Sequence, residues 1–322
     1  MTVLVLSEHE VERLLDMESC VEAMAEVLAA LARDELFLPL RSVARPEGAP
    51  SLMGLMPAYR DTPAPLWSLK EIVISPDNPA RGLDTHQGGV LLHDGTTGEL
   101  VALLNASPIT AIRTAAVSAV ATRALAREGA RRIAILGAGV QARAHVAAMK
   151  AVVEDPEIRI WTRSTETAER LASETGAIVA PSADAALFGA DVVCTATSSR
   201  EPVVEKRWVA PGTHINAVGA CFPTTRELDT ETIAHSSLFV DRRESAFNEA
   251  GDYLIPLAEG AIGPEHVKAE LGEVLAGMHP GREHEDELTV FKSLGIAVED
   301  LAAAELVVRR AREQGVGTEV DF

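Results

Sequence analysis

The chain has 322 residues, 47% hydrophobic and 24% charged, with a formal net charge of −19. That length suits two domains, that balance excludes a disordered chain, and that acidity opposes nucleic-acid binding, which needs clustered Lys and Arg. No apolar run approaches the roughly 18 residues of a membrane span. The stretch Met1–Glu10 lacks a secretory signal, and Cys20, Cys194 and Cys221 are too scattered for a disulfide framework, so a cytoplasmic protein without membrane contact is expected.

Ser7-x-x-Glu10 and Ser19-x-x-Glu22 read as capping boxes, the second opening a helix over about Cys20–Arg33. From Pro39 to Asn105 short apolar runs alternate with Pro, Gly and Asn turns, the texture of a sheet. A helix rich in small residues is predicted over Thr110–Arg127, with the domain junction inside or beside it. Then the rhythm changes. Strands at Arg132–Leu136, Ile158–Thr162, Asp191–Thr197, His214–Val218 and Leu238–Asp241 alternate with helices at Gln141–Val153 and Thr165–Thr175, as in βαβ units of a parallel sheet. A last helix, about Ile296–Gln314, is expected to pack on the first domain. The fold class is therefore α/β: a Rossmann-type doubly wound dinucleotide domain over residues 119–296, and an α/β substrate-binding and dimerisation domain over 1–118 and 297–322.

Ile133-Ala134-Ile135-Leu136-Gly137-Ala138-Gly139-Val140-Gln141-Ala142 is strand, then G-x-G-x-x-A, then helix. Gly137 permits the tight turn, Gly139 lets a pyrophosphate approach the backbone, and Ala142 keeps helix and strand close. The helix amides then face the anion. A bare G-x-G-x-x-A is weak, but the flanking strand and helix and the second strand at the right distance strengthen it. Where an NAD site usually carries an acid for the ribose hydroxyls, this chain reads Thr162-Arg163-Ser164, a guanidinium and two hydroxyls suited to a 2′-phosphate. NADP(H) is favoured, with NAD(H) open, since Arg163 also reads as a solvated loop cation.

In Trp67-Ser68-Leu69-Lys70-Glu71-Ile72-Val73-Ile74, period two puts Lys70 on a face with Ile72 and Ile74. A Lys there needs a partner anion, such as a substrate carboxylate, or reaches water from a sheet edge. Arg113 falls in the first turn of the helix predicted from Thr110, where a cation is disfavoured unless it shares an anion with the helix amides; a solvent-facing Arg is the other reading. Arg41 has no such local argument, and His86 reads as structural or catalytic. The nine His are scattered without metal-ligand spacing, so no metal is expected, and no nucleophile elbow occurs.

Leu83-Asp84-Thr85-His86-Gln87-Gly88, Thr110-Ala111-Ile112-Arg113-Thr114, the Gly137 turn, Ile215-Asn216-Ala217-Val218-Gly219-Ala220, Arg226-Glu227-Leu228-Asp229 and Thr289-Val290-Phe291-Lys292-Ser293-Leu294-Gly295 follow one another in order. Together they resemble the ornithine cyclodeaminase/mu-crystallin family over nearly the whole chain, closest to its mu-crystallin/ketimine reductase branch. The resemblance implies a homodimer through the first domain. It implies that Arg41, Lys70 and Arg113 hold a substrate carboxylate and carry the chemistry, with Cys221 beside the substrate. It also implies a cofactor lined by Thr85, His86, Thr114, Gly137, Gly139, Val140, Gln141, Thr162, Arg163, Ser164, Thr195, Val218 and Ser293.

One departure narrows the activity. The cyclodeaminase pattern G-G-D-C-P-G-K-T-E-L aligns with Gly219-Ala220-Cys221-Phe222-Pro223-Thr224-Thr225-Arg226-Glu227-Leu228, so Cys221 stands where the catalytic Asp would be. A thiol with pKa about 8.5 is a poorer base near neutral pH. The expected activity is therefore NAD(P)H-dependent reduction of a small imino acid such as Δ1-pyrroline-2-carboxylate or Δ1-piperideine-2-carboxylate. An alanine- or iminosuccinate-type enzyme, a cyclodeaminase, and a non-catalytic NADPH/small-ligand binding protein are the alternatives.

Overall fold

The computed structural model describes residues 2–322 and divides the chain into two compact units, Met1–Arg113 with Gly295–Phe322, and Thr114–Leu294. In chain order the elements begin with β1 (Thr2–Leu6), α1 (Glu8–Leu14), α2 (Met17–Ala32), β2 (Leu36–Phe37), β3 (Ser42–Ala44), β4 (Leu52–Arg60), β5 (Leu66–Ile74), β6 (His86–Asp94), β7 (Leu100–Asn105) and α3 (Ala106–Leu125). They continue with β8 (Arg132–Leu136), α4 (Val140–Val152), β9 (Glu157–Trp161), α5 (Thr165–Thr175), β10 (Ile178–Val179), α6 (Ala183–Leu187), β11 (Val192–Thr195), β12 (His214–Ala217), α7 (Thr230–Ala234) and β13 (Ser237–Val240). The last are α8 (Arg243–Glu249), α9 (Gly251–Ala258), β14 (Val267–Glu270), α10 (Leu271–Leu275), β15 (Thr289–Lys292), α11 (Ala297–Gln314) and β16 (Thr318–Asp321).

The first unit is a mixed sheet in the order β16-β1-β7-β6-β5-β4-β2, with β3 on β4. Only the β1–β7 pairing is parallel. One face is buried: Leu52, Met56, Ser68, Lys70, Ile72, Val90, Leu92 and Leu104 point into it, with α11 packed along β4, β5 and β6. The alternation of buried and exposed residues along β4 and β5 is the period-two pattern of a sheet covered on one side.

Two helix starts differ from the sequence expectation. Glu10 does accept from the backbone and hydroxyl of Ser7, as in a capping box. The next helix, however, begins at Met17, and its cap is Asp16, whose carboxylate accepts from Ser19 N at 2.9 Å. Ser19 is inside the helix. Likewise α3 begins at Ala106, not Thr110: the Asn105 side chain accepts from Ser107 N, and Pro108 sits in the first turn, where it costs no helical hydrogen bond. Arg113 therefore lies well inside α3, and the helix-terminus argument for it fails.

The second unit is an all-parallel sheet in the order β10-β9-β8-β11-β12-β15-β13-β14. Strands β11, β12 and β15 are buried at every residue, as a sheet covered on both faces requires. Polar residues inside it are satisfied locally: His214 meets Thr289 Oγ1 and Asn216 Oδ1, and Asn216 donates to Thr122. The strand order reverses at β8. The chain winds outward in both directions from it, and the crevice at the carboxyl end of that strand is where doubly wound sheets bind ligands. Strands β1, β2, β10, β14, β15 and β16 and the five short helices α6–α10 are not among the elements expected from the sequence, most being too brief for a periodic signal.

Candidate active site

Three cations of the first unit meet one short segment. Lys70, on the buried face of β5, donates to Oδ1 of Asp300 at 2.9 Å, and its ammonium pairs with Oδ2 at 2.7 Å. Arg113 of α3 donates from Nε to Asp300 at 2.9 Å and from Nη1 to Glu299 at 2.6 Å. Arg41 donates from Nη2 to the Gly295 carbonyl at 3.2 Å. Glu299 and Asp300 occupy the first turn of α11, where acids also suit the helix dipole. Gly295 is required by the same arrangement. Its φ is +73°, and a Cβ would lie 2.3 Å from Arg113 Nη1.

Lys70, Asp300 and Glu299 are essentially inaccessible and Arg113 nearly so. The partner anion that burial of Lys70 demands is thus a protein carboxylate, which corrects the reading of a lysine reaching water. Burial pushes the Lys70 ammonium down to about 8, and the neighbouring Arg113 and Arg41 push the same way, against the pull of Asp300. For Arg113 burial opposes the charge, but Asp300 and Glu299 outweigh it and raise its pKa. His86, at the start of β6, is lowered by burial and then by Lys70 and Arg113, so its imidazole is neutral at physiological pH. Thr85 precedes it, its carbonyl accepting from Ser75 N.

In the second unit the turn after β8 has the expected form. Gly137 has φ +121°, and a Cβ there would stand 2.4 Å from the Ala196 carbonyl oxygen. Gly139 is different: its φ is −85°, and a Cβ would meet no protein atom within 4 Å. Neither conformation nor packing demands glycine at 139, which is what a backbone approached by an outside pyrophosphate predicts. Gly139 caps α4 without a side-chain hydrogen bond, Val140 is exposed, and Ala142 is buried. His145, one turn into α4, is fixed by the Gln141 carbonyl and Ser118 Oγ and kept neutral by burial. These features fit a dinucleotide.

Thr162, Arg163 and Ser164 follow β9, with Arg163 exposed and Ser164 capping α5. Thr195, Val218 and Ser293 lie at or just past the carboxyl ends of β11, β12 and β15, and all three are buried, as is Thr114 on α3. Cys221, partly buried, has its thiol 3.4 Å from the Val218 carbonyl oxygen.

A carboxylate overlooked in the sequence organises this edge. Glu227, fully buried, accepts from Thr195 Oγ1, Gly219 N, Thr197 N and Thr197 Oγ1 at 2.6–2.8 Å. It pins the ends of β11 and β12 together. Asp252 accepts from Glu227 N and Leu228 N, and its other oxygen pairs with Lys292 Nζ at 3.1 Å. Lys292 also donates to the Ala217 carbonyl. A lysine directly after the apolar pair Val290-Phe291 was the available signal for this network. Among the described residues no His/Cys/Asp/Glu group is placed to hold a metal ion, and no helix is long and apolar enough to cross a membrane.

The family model of the ornithine cyclodeaminase/mu-crystallin family matches residues 1–315. The chain belongs to that family. It is 42% identical to ketimine reductase mu-crystallin of Mus musculus over 271 residues, 84% of this chain and 83% of the relative. The solved Thermococcus litoralis Δ1-pyrroline-2-carboxylate reductase, in complex with NADH and L-proline, superposes with a TM-score of 0.94 at 37% identity, covering 99% of this chain and all of the other. An archaeal alanine dehydrogenase dimer with bound NAD gives the same TM-score at 32% identity over all of both chains. This family member is an enzyme, an NAD(P)-dependent oxidoreductase, and its second unit is of the Rossmann type.

Proposed function

We propose that the protein is an NAD(P)H-dependent ketimine reductase for a small cyclic imino acid of the Δ1-pyrroline-2-carboxylate or Δ1-piperideine-2-carboxylate type. The observation that carries this reading is the gathering of Arg41, Lys70 and Arg113 on Gly295–Asp300. Arg41 and Arg113 would grip the substrate carboxylate as planar donor forks. Lys70 would face the imine nitrogen and hold the proton there, because an iminium carbon accepts hydride far better than a neutral imine. When bound on the Gly137 turn, the reduced nicotinamide supplies that hydride. Imine, hydride and one proton then give the secondary amine. Cys221, in place of a carboxylate, leaves the ornithine cyclisation without its acid–base group.

The cofactor proposed is NADPH, supported by exposed Arg163 and the lack of an acid at Thr162–Ser164. Arg163→Ala is expected to raise the KM for NADPH about tenfold and leave that for NADH unchanged. A homodimer is proposed through the outer face of the first unit's sheet. There Pro57, Leu69, Leu91 and Leu103 form a row across β4–β7, with Met53 and Trp67 beside it. An apolar face of this kind marks an interface, and Leu103→Lys should shift the protein towards monomer in light scattering.

The alanine dehydrogenase relative sustains a second reading, a linear imino acid formed from a 2-oxo acid and ammonia. The test for both is NADPH oxidation with cyclic imines, and with pyruvate in the presence and absence of ammonia. Turnover of the cyclic imines supports the first reading, ammonia-dependent turnover of pyruvate the second, and neither overturns both.

A further inference from the structure

The three cations are held by one segment, and one carboxylate within it binds two of them. Asp300 is fully buried, 230 residues from Lys70 and 187 from Arg113 in sequence, yet it receives hydrogen bonds from both. Lys70 spends its contacts on both oxygens, and Arg113 Nε shares Oδ1. The carboxylate is thus the common ruler for two side chains that come from a strand and a helix. Glu299 accepts from Arg113, and Gly295 sets the clearance for Arg113.

We infer that Asp300 is a positioning residue: its single carboxylate aims Lys70 and Arg113 together and keeps Lys70 as the ammonium that the imine requires. This rests on the carboxylate-gripping reading of Lys70 and Arg113 given above. The charged and titratable groups around Lys70 are Arg113 from α3, Arg41 from the loop before β3, His86 from β6, and Glu299 and Asp300 from α11. Arg60 of β4 is committed to Glu305. The cations in this set favour the neutral amine, and Asp300 is the acid that touches Lys70. Burial and Arg113 already bring Lys70 to about 8, so loss of Asp300 drives it lower.

The experiment compares the full chain with Asp300→Asn and Asp300→Glu. Three quantities are read: the pH profile of kcat/KM for Δ1-pyrroline-2-carboxylate, the Kd of NADPH, and the titration of Lys70 itself. That titration is the difference in thermal midpoint between each background and its Lys70→Met counterpart as pH is raised, and it requires no turnover. Asp300→Asn should move both the alkaline limb of kcat/KM and the Lys70-dependent midpoint change to lower pH by about one unit, a tenfold loss of proton affinity. At fixed mildly alkaline pH kcat/KM should fall about a hundredfold, while the NADPH Kd changes less than about twofold. Asp300→Glu keeps the charge but displaces it, so the limb stays and its height falls.

An unmoved Lys70 titration in Asp300→Asn overturns the inference, as does a drop in kcat/KM by one factor at every pH. Full activity of Asp300→Glu overturns the claim of aim, and this variant preserves the test should Asp300→Asn fail to fold. A Lys70 titration that moves in a protein reducing no imine supports the positioning by Asp300 and overturns the reductase reading.

Discussion

Each unit of this protein buries one lysine completely, and the two are held in opposite chemical states of readiness. Lys70 and Lys292 are equally inaccessible, and each has a carboxylate at contact distance, Asp300 at 2.7 Å and Asp252 at 3.1 Å. Burial disfavours both ammonium ions. Around Lys70 the next neighbours are cations, Arg113 and Arg41, and its pKa is pushed down to about 8. Around Lys292 the next neighbours are Cys221 and Glu227, and with Asp252 they raise its pKa instead. Because both lysines have a partner carboxylate, the difference between them comes from the second ring of charges. With its pKa near 8, Lys70 is close to exchanging a proton at physiological pH, as the role proposed for it on an imine nitrogen requires. Lys292 stays a cation, paired with Asp252 and with the buried Glu227 carboxylate among its charged neighbours.

The largest expected effect breaks the symmetry of the pair. Lys292→Met leaves Asp252 and Glu227 buried together without a cation, and should cost about 3–5 kcal/mol of unfolding free energy in denaturant titration. Lys70→Met leaves Arg113 still paired with both Asp300 and Glu299 and removes a desolvated charge. Its cost should be less than half as large, while kcat/KM falls about a thousandfold. Equal stability losses would show that the two lysines do the same structural task.

Much of this was legible from the sequence, and unevenly so. The Gly137 turn was visible because its determinants are consecutive: apolar strand, two glycines, alanine, helix. Alternation over Trp67–Ile74 put Lys70 on an apolar face and left open whether it meets an anion or reaches water; the structure buries it. What answers Lys70 was not visible, because Asp300 lies in another helix at the far end of the chain and no local rule links them. Arg113 was placed on the right element for a wrong reason, since Asn105 and Pro108 start α3 earlier than Thr110. Asp16 was passed over as a cap in favour of Ser19 because two plausible caps stand three residues apart, and only the backbone chooses. Glu227 entered only as part of the Arg226-Glu227-Leu228-Asp229 resemblance, with no role read for it. Its four donors come from the ends of two strands and the loops after them, a convergence no spacing encodes.

A smaller effect sharpens the contrast through pH. If the Lys70 ammonium serves the reaction, kcat/KM should fall as pH rises through about 8. Lys292, with its raised pKa, should add no inflection there. Stability gives an independent sign. A lysine whose folded pKa lies below its ordinary value of 10.5 burdens the fold below about 8, and the burden disappears as pH rises towards that ordinary value. Relative to Lys70→Met, the unmodified protein should thus gain stability over that alkaline window in thermal melts. A flat difference would place Lys70 with Lys292 as a fixed cation.

The smallest expected effect tests whether the second ring is graded. Arg41 stands last among the causes that lower Lys70, behind burial and Arg113. Arg41→Gln removes a guanidinium but keeps a donor for the Gly295 carbonyl. Withdrawing one weak cationic neighbour should let the Lys70 ammonium persist to higher pH, moving the alkaline limb of kcat/KM upward by a few tenths of a unit, about half a kcal/mol or less. Loss of a carboxylate contact should raise KM for the imino acid about tenfold with a smaller change in kcat. The two readouts move in opposite directions for activity at high pH, so they separate cleanly. A limb that moves downward would mean that Arg41 acts on Lys70 through position rather than charge, and the grading of neighbours that distinguishes the two lysines would have to be redrawn from geometry alone.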